Sequence, residues 1–369
     1  MRISCPKDIL FEKLQIVLKT VATKSTMPIL AGIHIRTTGP GEIELSSTDM
    51  EMSLRITAGA TVEEEGAVVA PGKLLTDVVR SLPAGEISIA SEDENQMVDI
   101  VSGQASFKLN CLPAQDFPRL PEMQDEASFE IEAGPLLKVV NTVARAASRD
   151  ETRPVLTGIL VKFSKDRLKM VATDSYRLSV MESAAGSSLA DKKEVIVPRH
   201  ALEELPRLFD QKDDGKITIA IAESQIMFRD EGTLLTSRLI EGQFPNYQQL
   251  LPDEFKSEVK IDKEELLEVV GRIGLMAQKN APLKLSFDDG RLTVSAQTPQ
   301  VGEAMESLAV PYSDEAMEIG FNPEFLRSGI ESVDGDDVVV RIISALRPGL
   351  IKGEDDDFLY LIMPVRLTS

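Results

Sequence analysis

The sequence is poor in the residues from which active sites and metal centres are commonly built. It holds two cysteines, Cys5 and Cys111, and two histidines, His34 and His200, among 369 residues. Two cysteines supply neither a disulfide framework nor a metal quartet, and they fit a reducing, cytoplasmic setting. The histidines fall in different parts of the chain, and neither cysteine has a histidine near it in sequence, so no nucleophile–base pair is legible. There is no GxxxxGK[ST] phosphate loop and no GxGxxG following a strand. No apolar run reaches the length of a membrane span, and the opening MRISCPKDIL lacks a signal-peptide core. Positive charge is also scarce: 40 Lys and Arg against 60 Asp and Glu leave a net charge of -20. Such a balance argues against nucleic acid unless a local positive surface can be found. No cofactor or metal is expected, and the acidic stretches 334–337 and 354–357 lack the alternating ligand spacing of a calcium loop; they are expected to be solvated hairpin loops.

What the chain has instead is repetition. Residues 27–35 (MPILAGIHI) and 153–161 (RPVLTGILV) share Pro28 and Pro154, Leu30 and Leu156, and Gly32 and Gly158, each pair displaced by 126. Thr48 and Asp49 return as Thr173 and Asp174, displaced by 125. Pro71, Pro198 and Pro323 each open a similar short helical stretch, and Phe117 and Pro118 return as Phe244 and Pro245. A period of roughly 125 residues means that the repeat unit is a whole domain. The expected division is 1–124, 125–253 and 254–369, with breaks in polar, proline-containing stretches.

Within each repeat, apolar residues at three-and-four spacing predict a long helix (7–23, 135–147, 262–278) and a short one (71–82, 198–209, 323–333). Alternating runs between and after them predict strands, ending in a three-strand meander. The expected architecture is α+β: three similar repeats, each of two halves in which a helix covers an antiparallel sheet. The repeated Thr-Asp pair is read as a turn capped by the Asp side chain rather than as a catalytic pair. His34 is expected in a partly buried strand and His200 on a solvated helix turn.

The six helical stretches, taken as 7–24, 71–82, 135–149, 198–208, 262–280 and 323–334, hold 15 basic and 12 acidic residues, in contrast to the acidic remainder. Spacings of seven, eight or eleven return to nearly the same face of a helix. By that rule Lys73 with Arg80, Lys138 with Arg145, Arg199 with Arg207, Arg272 with Lys279 and Lys13 with Lys24 form stripes, and Arg149 extends the second. Gathered on one side, such stripes would attract phosphates without reading bases. On these residues alone, a DNA-binding protein with a positively lined side, a peptide-binding scaffold and an enzyme using His200 or Asp174 all remain open.

The strings MPIL (27–30), VATDSYRLSV (171–180), VIVPR (195–199), LTSRLIEGQFPNYQQLLP (235–252), MEIGFNP (317–323) and LYLIMPVRL (359–367) decide among them. Through them the chain closely resembles, end to end, the bacterial DNA polymerase III beta subunit family, the sliding clamps. The resemblance implies the ring-forming DNA clamp fold, a head-to-tail homodimer around double-stranded DNA, and a non-catalytic processivity role. It implies as partners the polymerase III alpha subunit, a clamp loader, and other polymerases and repair proteins that dock through short linear motifs, with no membrane. By match, and by the stripes for Arg80, Lys138 and Arg145, the DNA-facing set is Lys24, Lys73, Arg80, Lys138, Arg145, Arg149, Arg153 and Arg199. The resemblance also implies a partner-peptide groove between the second and third repeats. Its residues would be Leu156, Thr173, Ser175, Tyr176, Arg177, Leu178, Pro245, Gln249, Leu250, Leu361, Ile362, Met363, Pro364, Val365 and Arg366. Two of these depart from the family: Tyr176 stands where a His is frequent, and Gln249 where some members have Arg.

Overall fold

Alternating apolar residues become antiparallel strands, and the three-and-four spaced ones become short amphipathic helices. The computed structural model describes residues 1–22, 25–92, 96–123, 128–189, 191–209, 215–252, 254–277, 281–299, 301–355 and 357–367.

The first repeat runs β1 (Arg2–Pro6), α1 (Lys7–Val17), a 3-10 turn (Leu18–Thr20), a second (Pro28–Ala31), β2 (Gly32–Gly39), β3 (Glu42–Thr48), β4 (Met52–Gly59), β5 (Thr61–Glu64), β6 (Ala67–Pro71), α2 (Gly72–Ser81), β7 (Glu86–Glu92), β8 (Met97–Ser102) and β9 (Ala105–Asn110). The second runs β10 (Ser128–Glu132), α3 (Ala133–Val143), the one-turn α4 (Pro154–Thr157), β11 (Gly158–Phe163), β12 (Arg167–Thr173), β13 (Arg177–Ala184), β14 (Lys193–Pro198), α5 (Arg199–Leu208), β15 (Lys216–Ile221), β16 (Gln225–Asp230) and β17 (Thr233–Arg238). The third runs β18 (Ser257–Asp262), α6 (Lys263–Gly274), β19 (Leu283–Asp288), β20 (Arg291–Thr298), β21 (Gly302–Ala309), β22 (Met317–Phe321), α7 (Pro323–Glu331), β23 (Asp337–Ile342), β24 (Gly349–Lys352) and β25 (Phe358–Ile362).

The sheets do not stop at the repeat borders, and the chain folds into two units whose boundaries differ from those of the repeats. One comprises Met1–Ala133 with Arg207–Leu239. It holds a five-stranded sheet, β5-β1-β7-β8-β9, and an eight-stranded one, β10-β15-β16-β17-β4-β3-β2-β6. Helices α1 and α2 pack together, and Leu10, Leu14 and Val17 of α1 are wholly buried while Ile9 is 41 % exposed, so the buried face is narrower than expected. The other unit comprises Gly134–Pro206 with Ile240–Ser369. It holds the eight-stranded sheet β14-β11-β12-β13-β25-β24-β23-β18 and the four-stranded sheet β21-β20-β19-β22. Here α6 packs on α7, and Asp262 caps α6 by accepting from the Glu265 N–H at 2.8 Å.

The sheet pairings follow one rule. The last strand of a repeat pairs antiparallel with a strand from the first half of the preceding repeat: β17 with β4, and β25 with β13. The corresponding strands left over are β9, the last of the first repeat, and β21, in the first half of the third; both are sheet edges.

The repeated glycines have a steric reason. Gly32 stands opposite Pro71 across β2 and β6, and Gly158 stands opposite Pro198 across β11 and β14. A Cβ on Gly32 would lie 2.3 Å from Val69 Cγ1, and one on Gly158 would lie 2.5 Å from Ile196 Cγ2 and 2.7 Å from Ile240 Cδ1. No side chain fits without displacing a packed branched residue.

Three helices are shorter than the basic stripes require. Helix α1 ends at Val17, α3 gives way at Val143 to a 3-10 turn (Ala144–Ala146), and α6 ends at Gly274. Arg149 therefore lies in irregular chain beyond α3, and the spacing argument that aligned it with Arg145 fails. Lys24 and Lys279 lie outside the described residues. Both members of a stripe fall within one helix only for Lys73 with Arg80 on α2 and Arg199 with Arg207 on α5.

Candidate partner groove and basic surface

The turn joining β12 to β13 is built by its own side chains. Asp174 Oδ1 accepts from the N–H groups of Tyr176 and Arg177 at 2.9 and 3.0 Å, and Thr173 Oγ1 accepts from Ser175 N–H at 3.2 Å. These bonds hold Ser175 in the left-handed region, at φ 80°. The same turn recurs in the first repeat. Asp49 Oδ1 accepts from Glu51 and Met52 N–H at 2.9 and 2.7 Å, and Met50 has φ 78°. The Thr-Asp pair is thus a turn-builder, as its position at a strand end suggested.

A cleft of about 890 Å³ opens beside the second-repeat turn. Thr173, Ser175, Arg177, Leu178, Gln249, Leu250, Leu361 and Met363 line it, so eight of the fifteen sequence-derived groove residues come together. Leu178 and Leu361 face each other across β13 and β25 and form the floor; both belong to a buried cluster with Leu160, Phe244, Tyr247 and Leu350. Met363 and Leu250, 43 % and 51 % exposed, offer apolar surface to a ligand.

The other seven are not among its lining. Ile362 is wholly buried, because alternation along β25 turns it away from the cleft. Tyr176 is 60 % exposed beside the turn. Leu156 is half-buried and Pro245 exposed, both outside the lining. Val365 donates its N–H to Gly320 O at 2.8 Å, which carries the tail, with Pro364 and Arg366, along β22 instead. Arg177 borders the cleft with its guanidinium already engaged: Nε donates to Asp174 Oδ2 at 3.0 Å, Nη1 to Tyr360 Oη at 3.4 Å, and the group lies 4.4 Å over the Phe325 ring. It is a strut more than a free recognition group.

Sequence reading missed the opposite wall, formed by Leu251, Pro252, Glu254, Ile343, Leu346, Arg347 and Pro348. Leu346 is 70 % exposed. Residues 343–348 form the loop between β23 and β24, longer than the loop between β15 and β16, and the string Leu346-Arg347-Pro348 was the one sequence signal available.

The described basic candidates are mostly paired with acids. Arg80 bonds Asp77 at 2.8 Å and Arg199 bonds Glu203 at 2.8 Å, each within its own helix. Lys138 reaches Asp334 and Arg145 reaches Glu331, both at 2.6 Å, so α3 and the turn after it are tied to α7 and the loop beyond it. Arg327 also bonds Glu331, at 2.8 Å. The hydrogen bond from Lys138 holds the Asp334 carboxyl below its usual range; for Glu331, partial burial pushes upward but the two arginines prevail. Arg153 departs furthest from expectation: it bonds Asp150 at 3.0 Å and donates to Ser175 Oγ at 3.1 Å, which places it at the groove turn. Lys73 and Arg149 are exposed and make no ion pair among the described residues. Exposed pairs of this kind contribute about 0.2–1 kcal/mol each, weak enough for a phosphate to compete.

His34 lies in β2, its ring stacked 4.9 Å from that of Phe117, and burial lowers its pKa to about 4. His200 is exposed on α5. Burial raises the Cys5 thiol to about 11, and both cysteines are buried. No helix among the described residues is long and apolar enough to cross a membrane.

Comparison with known proteins agrees at every level. Family models match in chain order: the DNA polymerase III beta subunit N-terminal domain over residues 1–121, the central domain over 130–246 and the C-terminal domain over 248–366. The chain is 32 % identical to the beta sliding clamp of Streptomyces coelicolor, each covered in full. It is 30 % identical to that of Bacillus subtilis, over 99 % of this chain and 100 % of the relative. The crystal structure of the Bacillus subtilis sliding clamp superposes with a TM-score of 0.93 at 29 % identity, and that of the Bartonella birtlesii clamp bound to griselimycin with 0.92 at 32 %, each pair covered in full. Repeats, fold and relatives converge: the chain belongs to the DNA polymerase III beta subunit family, the beta sliding clamps.

Proposed function

We propose that this chain is a processivity clamp: a cytoplasmic, head-to-tail homodimer that closes around double-stranded DNA and tethers the replicative polymerase to it. The observation that carries the reading is the pairing rule of the sheets. Extending it between two copies pairs β9 of one with β21 of the other, and doing so twice closes a ring of six repeats. The two edges suit each other. Phe107 on β9 and Leu74 on α2 are 36 % and 49 % exposed; Met305 on β21 and Leu275 after α6 are 73 % and 81 % exposed. Lys108 sits on the first side and exposed Glu303 on the second. Unpaired strand edges flanked by apolar side chains are normally covered. The repeats would divide at 1–124, 125–253 and 254–369.

In that ring the helices and the segments that follow them supply the lining, with Lys73 and Arg149 the first phosphate contacts, Arg80, Lys138, Arg145 and Arg199 joining as their carboxylate partners are displaced, and Lys24 a further candidate. Such contacts are weak, salt-sensitive and blind to sequence, which suits sliding. The groove of Leu178, Leu361, Met363, Leu250 and Leu346 takes a short linear motif with an apolar anchor, from the polymerase III alpha subunit, the clamp loader and other polymerases or repair proteins. The chemistry belongs to those partners; the clamp itself is non-catalytic.

Retention on DNA tests the ring. Loaded protein should stay on closed circular DNA and leave linear DNA at one ionic strength. Equal retention on both topologies overturns the proposal.

A further inference from the structure

The groove turn has a twin in the first repeat, and the surroundings of that twin form a second cleft with different chemistry. Residues 48–52 reproduce the bonding of 173–177, and Arg238 N–H donates to Glu51 O at 2.9 Å as Met363 N–H does to Tyr176 O at 2.9 Å. Arg238 therefore occupies the place of Met363. The floor changes with it: Ser53 faces Thr236 across β4 and β17 where Leu178 faces Leu361 across β13 and β25. The wall is the segment 118–121, fixed by Arg55, whose Nη2 donates to the carbonyl oxygens of Leu120 and Pro121 at 2.6 and 2.8 Å. The cleft is about 210 Å³. It brings Arg119 and Arg238 together with one carboxylate, Glu51, whose Oε1 is 3.8 Å from Arg238, the outer edge of ion pairing.

We propose that this cleft is a second docking site, and that it takes an extended acidic peptide in place of an apolar-anchored one. Two guanidiniums facing a single loosely held carboxylate make a local positive excess on a protein of net charge -20. Guanidinium recognises carboxylate through two parallel hydrogen bonds, so a glutamate or aspartate of the ligand displaces Glu51 from Arg238 while a second pairs with Arg119. Ser53 and Thr236 give the floor hydroxyls where the groove has only methyl groups. Met50, 52 % exposed at the rim, admits one aliphatic contact. The proposal borrows from the groove reading only the analogy of construction.

The test is fluorescence anisotropy of a labelled hexapeptide of glutamates with one leucine, titrated with the full chain at about 50 mM salt. Binding should weaken as salt is raised, fall tenfold or more in Arg119→Ala/Arg238→Ala and in Arg238→Met, and stay unchanged in Met363→Ala. Thermal melting of each variant separates loss of the site from loss of the fold. No binding up to millimolar protein, equal affinity in a folded double variant, loss in Met363→Ala, or displacement by an oligonucleotide at lower concentration than by unlabelled peptide each overturns the assignment. Failure of the groove reading would show itself separately, as an apolar-anchored motif peptide insensitive to Met363→Ala.

Discussion

His34 is a titratable group held neutral by its place in a sheet. Its pKa in the folded chain, about 4, lies below the ordinary 6.5, so between these values the unfolded chain binds the extra proton. Stability is therefore full above pH 6.5 and falls as pH drops from 6.5 toward 4, by at most about 3 kcal/mol for a shift of this size. A His34→Gln variant should flatten that slope in urea melts at pH 7 and pH 4.5; an unchanged slope would locate the acid sensitivity elsewhere. The carboxylates of Asp334 and Glu331 act at lower pH. Their folded pKa values are depressed, so what they contribute is present above the ordinary carboxylate range and is lost as pH falls through it. At the groove, Met363→Ala with Leu346→Ala should weaken a motif peptide tenfold or more in a direct titration while melting is unchanged, since both side chains are exposed. Leu178 is a poorer choice because it is 2 % exposed, and its truncation would cost about 2–5 kcal/mol of stability as well.

At the level of elements, the repeated glycines and prolines carry more structural meaning than the repeated leucines. Gly158→Ala forces a methyl group into Ile196 and Ile240, and about 1–3 kcal/mol of destabilisation should follow, read as a lowered melting temperature. Gly271→Ala is the control, since a Cβ there meets nothing within 4 Å. Helix ends are where spacing arguments failed. Apolar periodicity continues past Val17, Val143 and Gly274, yet each helix stops there, and 3-10 turns follow the first two. Buried Thr20, Ala144, Ala146 and Ala147 satisfy the same apolar pattern without helical geometry, so periodicity could not report the break. The strands were more legible, because alternation and turn residues bracket them; β5 and β6 went unread, being short and separated by a single bend around Gly66.

For the whole molecule the decisive pairings are non-local. Joining β17 to β4 and β25 to β13 brings together residues about 180 apart, and no local pattern marks which edges meet. Under the proposed ring, Met305→Asp places a charge at the apolar centre of the β9–β21 contact. Sedimentation should then show a species of half the mass, with peptide binding at the groove retained; an unchanged mass would remove that contact from the assembly.

The repeat, the element types, the turn-building Thr-Asp pairs and the family follow from the sequence alone, because each is written in short-range spacing or in matching strings. Only tertiary structure decided that Lys138 and Arg145 are bound to acids on and beyond α7, that Arg153 belongs to the groove turn, and that Ile362 and the tail after Met363 turn away from the cleft. Those outcomes depend on which side chain faces which across a sheet or between helices, a choice set by packing that sequence spacing does not encode.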